Sequence, residues 1–434
     1  MLYTAGRQFV DWSADYRLFE RARFDPERLF APARRAVVAA LADGQQVVAH
    51  IDDTRSRRSG KKVAGVSWHR DPLGPHFRTQ FLWGHRFLQI SLSLPEGSTP
   101  RAARAIPVDL QHCPCARKPR RNDPPEVWQK WKAQRRQQRL PAVAARRLAR
   151  LRADLDADPG GRERLLVTSV DGGFTNTALF RSIPPHTTLI GRVRKDATLH
   201  APPEPAPARG RGRRRVYGAA LPTPQAVLQD ALRPWQEVQA WAAGRLHAFR
   251  IKTLSPVRWR GAGAHDLRLV VIAPLGYRLS KHSRVLYREP AFLLCTDPDL
   301  SLEKIIQSYL WRWGIEVNFR DEKTLIGLGE AQVWNEKAVA LVPAFLAAAY
   351  AFLQLAGHGA FGDGPCPLPN PRWQRRRPQQ RITTGQMIKL LRGEIWGQAL
   401  GVWNFSDFAD ETLRDLKSEK NETHLKSAVI YAIR

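Results

Sequence analysis

Gln45-Gln46-Val47-Val48-Ala49-His50-Ile51-Asp52-Asp53-Thr54 is an apolar run that ends on two adjacent carboxylates. Its composition predicts a strand, and acids at the end of a buried strand are a frequent way to build a site. Neighbouring strand residues point to opposite faces, so only one of Asp52 and Asp53 can look into a given pocket, and patterning leaves open which. A second run, Leu165-Leu166-Val167-Thr168-Ser169-Val170-Asp171-Gly172-Gly173, repeats the design. Taken alone it is as well explained by an Asp-Gly turn capping the next helix.

Between the two runs, residues 55–62 read as a flexible basic loop, and 81–94 and 104–110 as further strands. Pro107 lacks an N–H and makes the latter an edge strand. Three strands with no helix between them predict an antiparallel meander. After a basic linker at 117–121, a helix is expected from Asp123-Pro124-Pro125-Glu126 to about Asp156, broken near Pro141. Past Asp171 come a short helix at 174–181 and a strand at 189–194. Residues 200–215, rich in Pro, Gly and Arg, read as a mobile basic loop. Alternating segments at 238–251, 267–272 and 285–294 predict a small sheet-rich insertion.

The third acid lies far along the chain, in Tyr309-Leu310-Trp311-Arg312-Trp313-Gly314-Ile315-Glu316-Val317-Asn318-Phe319-Arg320-Asp321-Glu322-Lys323, which reads as one long helix. At about 100° per residue, Tyr309, Arg312 and Lys323 fall within about 40° of Glu316 around the axis. One face then carries a phenol, a guanidinium, a carboxylate and an ammonium. That set suits a polyanion held beside a metal ion; a surface helix with i,i+4 pairs is the competing explanation.

The chain has 434 residues, 43% hydrophobic, with 14 Trp and 17 Phe, which indicates a folded protein. Lys and Arg number 69 against 40 Asp and Glu, a net charge of +29, and this points to a polyanionic partner, nucleic acid first. Four cysteines do not make a disulfide framework and fit a reducing cytoplasm. His112, Cys113 and Cys115 have metal-ligand types, but at a spacing too tight for a zinc site and without a second pair nearby. No secretory signal is read at the start, and the apolar run at 338–356, interrupted by Pro343 and Gln354, is expected to be a buried helix with no membrane partner.

Strand-acid, two strands, helix, strand-acid, inserted sheet and helix-acid is the order of a ribonuclease H-like fold. The spacing Tyr309, Arg312, Glu316, Lys323 resembles the Y-R-E-K signature of DDE transposases of bacterial insertion sequences, the cut-and-paste group. The resemblance extends over roughly residues 40–350. It implies an α/β fold: a ribonuclease H-like mixed sheet with flanking helices, interrupted by an inserted β-rich subdomain; the residues outside it read as a helical N-terminal lead-in and a helical C-terminal region. The boundaries expected are 1–44 for the lead-in, whose aromatic and basic residues suit either DNA contact or packing, 45–196 for the first part of the catalytic core and 197–299 for the insertion. Residues 300–356 then complete the core, and 357–434 form a linker and tail with a helix at 386–396.

The resemblance further implies Asp53, ahead of Asp52, with Asp171 and Glu316 as catalytic acids and metal ligands for two Mg²⁺ ions, with Mn²⁺ as a substitute. Tyr309, Arg312, Lys323 and Arg320 would contact DNA, and Phe292 would stack on a flipped base. The implied partners are double-stranded DNA, as transposon ends and target, and a second copy in a synaptic dimer. A catalytically lost, transposase-derived DNA-binding protein and a ribonuclease H-like nuclease are the alternatives.

Overall fold

The computed structural model describes residues 11, 13–71, 74–75, 77–96, 102–204, 214–280, 282–362 and 381–400, without the side chains of residues 15 and 393–400. In chain order the elements are α1 (Ser13–Glu20), α2 (Pro26–Ala40), β1 (Val47–Arg57), β2 (Ser67–Arg70), β3 (Phe81–Pro95), β4 (Ala103–His112), α3 (Pro125–Gln137), α4 (Leu140–Ala157), β5 (Leu166–Val170), α5 (Thr177–Phe180) and β6 (Thr187–Arg192). There follow β7 (Leu199–His200), β8 (Ala220–Leu221), α6 (Pro224–Gln229), β9 (Gln236–Ala242), β10 (Arg245–Trp259), β11 (Leu267–Ile272), β12 (Gly276–Tyr277), β13 (Leu286–Tyr287) and β14 (Ala291–Cys295). The last helices are α7 (Leu302–Trp311), α8 (Trp313–Thr324), α9 (Glu336–Phe361) and α10 (Thr384–Leu400).

Twelve of these strands form one mixed sheet, ordered β2-β3-β1-β5-β6-β14-β11-β10-β7-β8, with β4 paired to β3 and β9 to β10. β1 runs antiparallel to β3 and parallel to β5, which is parallel to β6. A parallel pair needs a long crossover, and α3 and α4 supply it between β4 and β5. The two acid-bearing strands are thereby neighbours. Most strands at 197–299 continue the same sheet, β14 pairing with the outer side of β6 and β11 and β10 following, while β12 and β13 pair only with each other. Residues 205–213, most of the expected basic loop, lie outside the described residues, as do 363–380 of the linker and 401–434 of the tail.

Strand alternation assigns the two faces. Val47, Ala49, Ile51, Leu166 and Val170 pack with Val143, Leu148 and Leu155 of α4 in one apolar cluster. Val167 and Ile190 point the other way, onto Ile305 and Ile306 of α7. On that second face α9 lies over β4 and α2, with Ala344, Ala347 and Ala348 against Phe87 and Leu110. By length and composition α9 could cross a membrane, yet most of its apolar window is buried inside the fold.

Two local expectations change. β1 does not stop at Thr54: Arg55, Ser56 and Arg57 keep pairing with Arg86, His85 and Gly84, so the basic loop starts later. The helix around Glu316 is two helices. α7 ends at Trp311 and Arg312 joins it to α8, its N–H returning to the Tyr309 and Leu310 carbonyls in tight turns.

Candidate active site

The register of β1 against β5 matches Ile51 with Val170, so the residues that follow, Asp52 and Asp171, leave adjacent parallel strands together. Ile51 and Val170 belong to the α4-side cluster, and each acid, one residue on, therefore turns to the α7–α8 side. Asp53 turns the other way. Its carboxylate pairs with Arg55 Nη2 at 3.3 Å.

Arg312, at the α7–α8 junction, joins the chain's distant parts. Its Nη1 donates to Asp52 Oδ2 at 3.1 Å and its Nη2 to Glu316 Oε1 at 2.9 Å. The guanidinium also lies 5.8 Å from the centre of the Tyr309 ring. The helix break points one side chain at both the strand acid and the helix acid. α8 is seated by Asn318, whose Nδ2 donates to Ser91 Oγ at 3.1 Å and to the Ala105 carbonyl at 3.0 Å. Asp171 is held by its own turn, Oδ1 accepting from the Gly173 and Phe174 N–H groups at 2.9 and 3.2 Å.

The electrostatics follow from this crowding. Burial, with the like charge of Asp171, pushes the Asp52 carboxyl up to about 7 against the pull of Arg312. Asp53 is also raised, chiefly by burial, while Arg55 and Arg86 oppose the shift. Burial works against the charge on Arg312 and is outweighed by Tyr309, Asp52 and Glu316, so its pKa rises. Behind Asp52, buried His50 is pushed down to about 3 by burial and by Arg312, and is therefore neutral. Its Nε2 lies 2.7 Å from Ser93 Oγ.

The remaining predicted residues separate. Burial lowers the pKa of Lys323 against the pull of Glu322 and Asp53, and Arg55 adds to the fall. Arg320 is exposed and pairs with Asp321 at 2.8 Å. Asp321 and Glu322 are buried, not solvated as an amphipathic helix would have them; Asp321 also accepts from Thr384 Oγ1 at 2.7 Å. Glu322 stands beside Gln89, the cross-strand partner of Asp52, and burial pushes its carboxyl up to about 8. Phe292 is part of the core but also lines a cavity of about 920 Å³ beside Gly172. Arg192, Arg194, Lys195 and Trp259 share that lining. Trp259 is an aromatic that sequence reasoning does not single out, because only the sheet's continuity brings β10 to the Asp171 turn.

Carboxylate oxygens are hard donors suited to Mg²⁺ or Mn²⁺. Asp52 and Asp171 share one face, and the charge of Asp171 acts on the Asp52 carboxyl, which fits a divalent cation between them. Glu316 is tied to Arg312, and among the described residues no three His, Cys, Asp or Glu side chains stand close enough to hold a metal as they are.

A family model described as DDE superfamily endonuclease matches residues 12–263, more than half of the chain. No curated protein matches the sequence. The matched region contains β1 and β5 with Asp52, Asp53 and Asp171, and ends before α7, so the family match does not reach Glu316. With its acids on neighbouring strands of a mixed sheet, the chain belongs to the DDE superfamily of endonucleases.

Proposed function

We propose that this protein is the transposase of a bacterial insertion sequence, of the cut-and-paste group with the Y-R-E-K signature, acting on DNA in the cytoplasm as a dimer. The observation that carries this proposal is Arg312, which bonds both Glu316 and, 260 residues away in sequence, Asp52, on which the charge of Asp171 also acts. Asp52, with Asp171 and Glu316, is the acid we assign to metal binding; Asp53, which the family resemblance implies, pairs with Arg55 on the other side of the strand. When bound, a pair of divalent ions would supply activation of the attacking oxygen and stabilisation of the leaving one.

The chain's own residues do the positioning. Arg312 exchanges Glu316 for a DNA phosphate, a contact that can be bidentate, and this frees the third carboxylate as the DNA end enters. Tyr309 donates its hydroxyl to the same phosphate, and Lys323 and exposed Arg320 neutralise the neighbouring ones. Water cleaves at the transposon end, and the freed 3′-hydroxyl then attacks the opposite strand or target DNA. The cavity beside Gly172 has room for a flipped base, with Phe292 and Trp259 among its lining residues.

The test is cleavage, with Mg²⁺, of DNA carrying the sequences that flank this reading frame. Glu316→Gln and Asp52→Asn are expected to lower the rate by at least about a hundredfold, the scale on which transition-state charge stabilisation is lost. Asp53→Asn is expected to cost far less. Cutting that persists in Glu316→Gln sinks its assignment as a ligand, and an inactive Asp53→Asn beside an active Asp52→Asn reverses the choice of acid. Products of hydrolysis without strand transfer would favour a nuclease of the same superfamily.

A further inference from the structure

The hairpin of β2 and the start of β3 exposes aromatic rings that the fold leaves uncovered. In its ladder Trp68 lies opposite Trp83, and Arg70 opposite Phe81. Directly opposed residues share a face, so these four form one patch, while His69 and Leu82 are buried on the other face. Trp68 and Phe81 are 65% and 62% exposed, and the Trp68 and Trp83 rings lie 5.4 Å apart. Trp83 has a structural role, since its indole N–H donates to the Gly60 carbonyl at 3.2 Å. Trp334, 68% exposed, adds an indole nearby; its carbonyl accepts from the Ala64 N–H at 3.0 Å.

Cations surround the rings. Lys61, Lys62, Arg70 and Arg78 are all exposed, and Asp71, the sole acid between residues 57 and 83, pairs with Arg57 Nη2 at 3.0 Å. The patch also continues the sheet face that carries Asp52. Trp83, Phe87 and Gln89 point the same way along β3, and Gln89 lies opposite Asp52. Six residues of strand place Trp83 roughly 20 Å from the acid, a span of about six nucleotides of one DNA strand. Between them the face is covered, with Arg58 Nη1 donating to the Gly329 and Ala331 carbonyls at 2.6 and 2.8 Å.

We propose that the β2–β3 hairpin is a stacking platform for unpaired nucleotides of the DNA strand held at the acids, with Trp68 and Phe81 as the stacking rings and Lys61, Lys62, Arg70 and Arg78 on its phosphates. Every base has a π face, and rings interleaved with cations are the recurring device for gripping single strands without reading sequence. A second copy of the chain seated here by symmetry would oppose like charges, which disfavours a self-association surface. The inference rests on the proposed action on DNA.

It is tested by fluorescence anisotropy without divalent metal, comparing a blunt duplex of about 20 base pairs with the same duplex bearing a tail of about six unpaired nucleotides. Wild type is expected to bind the tailed duplex roughly tenfold more tightly, and Trp68→Ala/Phe81→Ala to lose that preference while blunt-duplex affinity changes by less than about twofold. Trp68→Tyr, which keeps a ring, is expected to retain the preference. The platform is overturned if the double variant still prefers the tail, if both affinities fall together, or if light scattering shows the double variant dissociating a dimer with the tail preference intact. A wild type that binds both duplexes alike overturns the platform alone; one that binds neither overturns the proposed function with it.

Discussion

One residue's parity separates two neighbouring acids. Asp52 and Asp53 are equivalent in composition and adjacent in sequence, yet the β1–β5 register sends Asp52 to the face where Asp171 and Arg312 stand. The consequence is measurable in pH. The folded-state pKa of Asp52 is raised to about 7 from 3.8, so the protonated form is the one the fold favours. Its contribution to stability is fully present below the unfolded value and is lost as pH rises through about 7. A cation must displace that proton, so Mn²⁺ affinity measured by calorimetry is expected to rise roughly tenfold from about pH 6 to about pH 8, and Asp52→Asn to remove the dependence. A flat profile in wild type would show that Asp52 is not the titrating ligand.

At the level of elements, the junction between α7 and α8 does what a continuous helix would not. Four residues on one face of a straight helix would form a single stripe about 20 Å long; the break lets Arg312 reach back to β1 instead. α8 must sit close to the sheet for this, and Gly314 is where it does. A Cβ built on Gly314 would stand 2.9 Å from Ala105 Cβ on β4. Gly314→Val, which is also β-branched, is expected to cost about 1–3 kcal/mol and to lower cleavage beyond the loss of folded protein, because it pushes Arg312 off Asp52. Ala105→Gly should restore part of the activity in the double variant. Denaturant unfolding and cleavage rates measured together check this, and a Gly314→Val protein with wild-type rates would show that the close approach is not required.

At the scale of the whole molecule, one continuous sheet carries the acid strands together with β10, β11 and β14, which brings Trp259 and Phe292 to the turn after Asp171. The net charge of +29 is spread over that framework and belongs to no single motif. Binding to duplex DNA is accordingly expected to fall steeply with salt, with a log–log slope steeper than about −4, as for a protein that neutralises several phosphates. Glu316→Gln should leave this slope unchanged, because the carboxylate does not touch phosphate. Anisotropy titrations across a salt series measure it, and salt-independent binding would remove polyanion recognition as the explanation of the charge.

The amino-acid sequence alone located β1, β3, β4 and β5 but not β2, and it determined the helical crossover, the buried character of the 338–356 helix and the Y-R-E-K spacing. These are local periodicities and fixed intervals, which a linear pattern carries. The tertiary structure decided what depends on partners distant in sequence. Which of two neighbouring acids faces the site follows from the register with β5, set by packing on both faces of the sheet. The split of one apparent helix at Arg312 follows from seating α7 on Val167 and Ile190 and α8 on Ser91 and Ala105. The burial of Asp321 and Glu322, charged residues that helical periodicity assigns to solvent, follows from the packing of β3, α9 and α10 around α8.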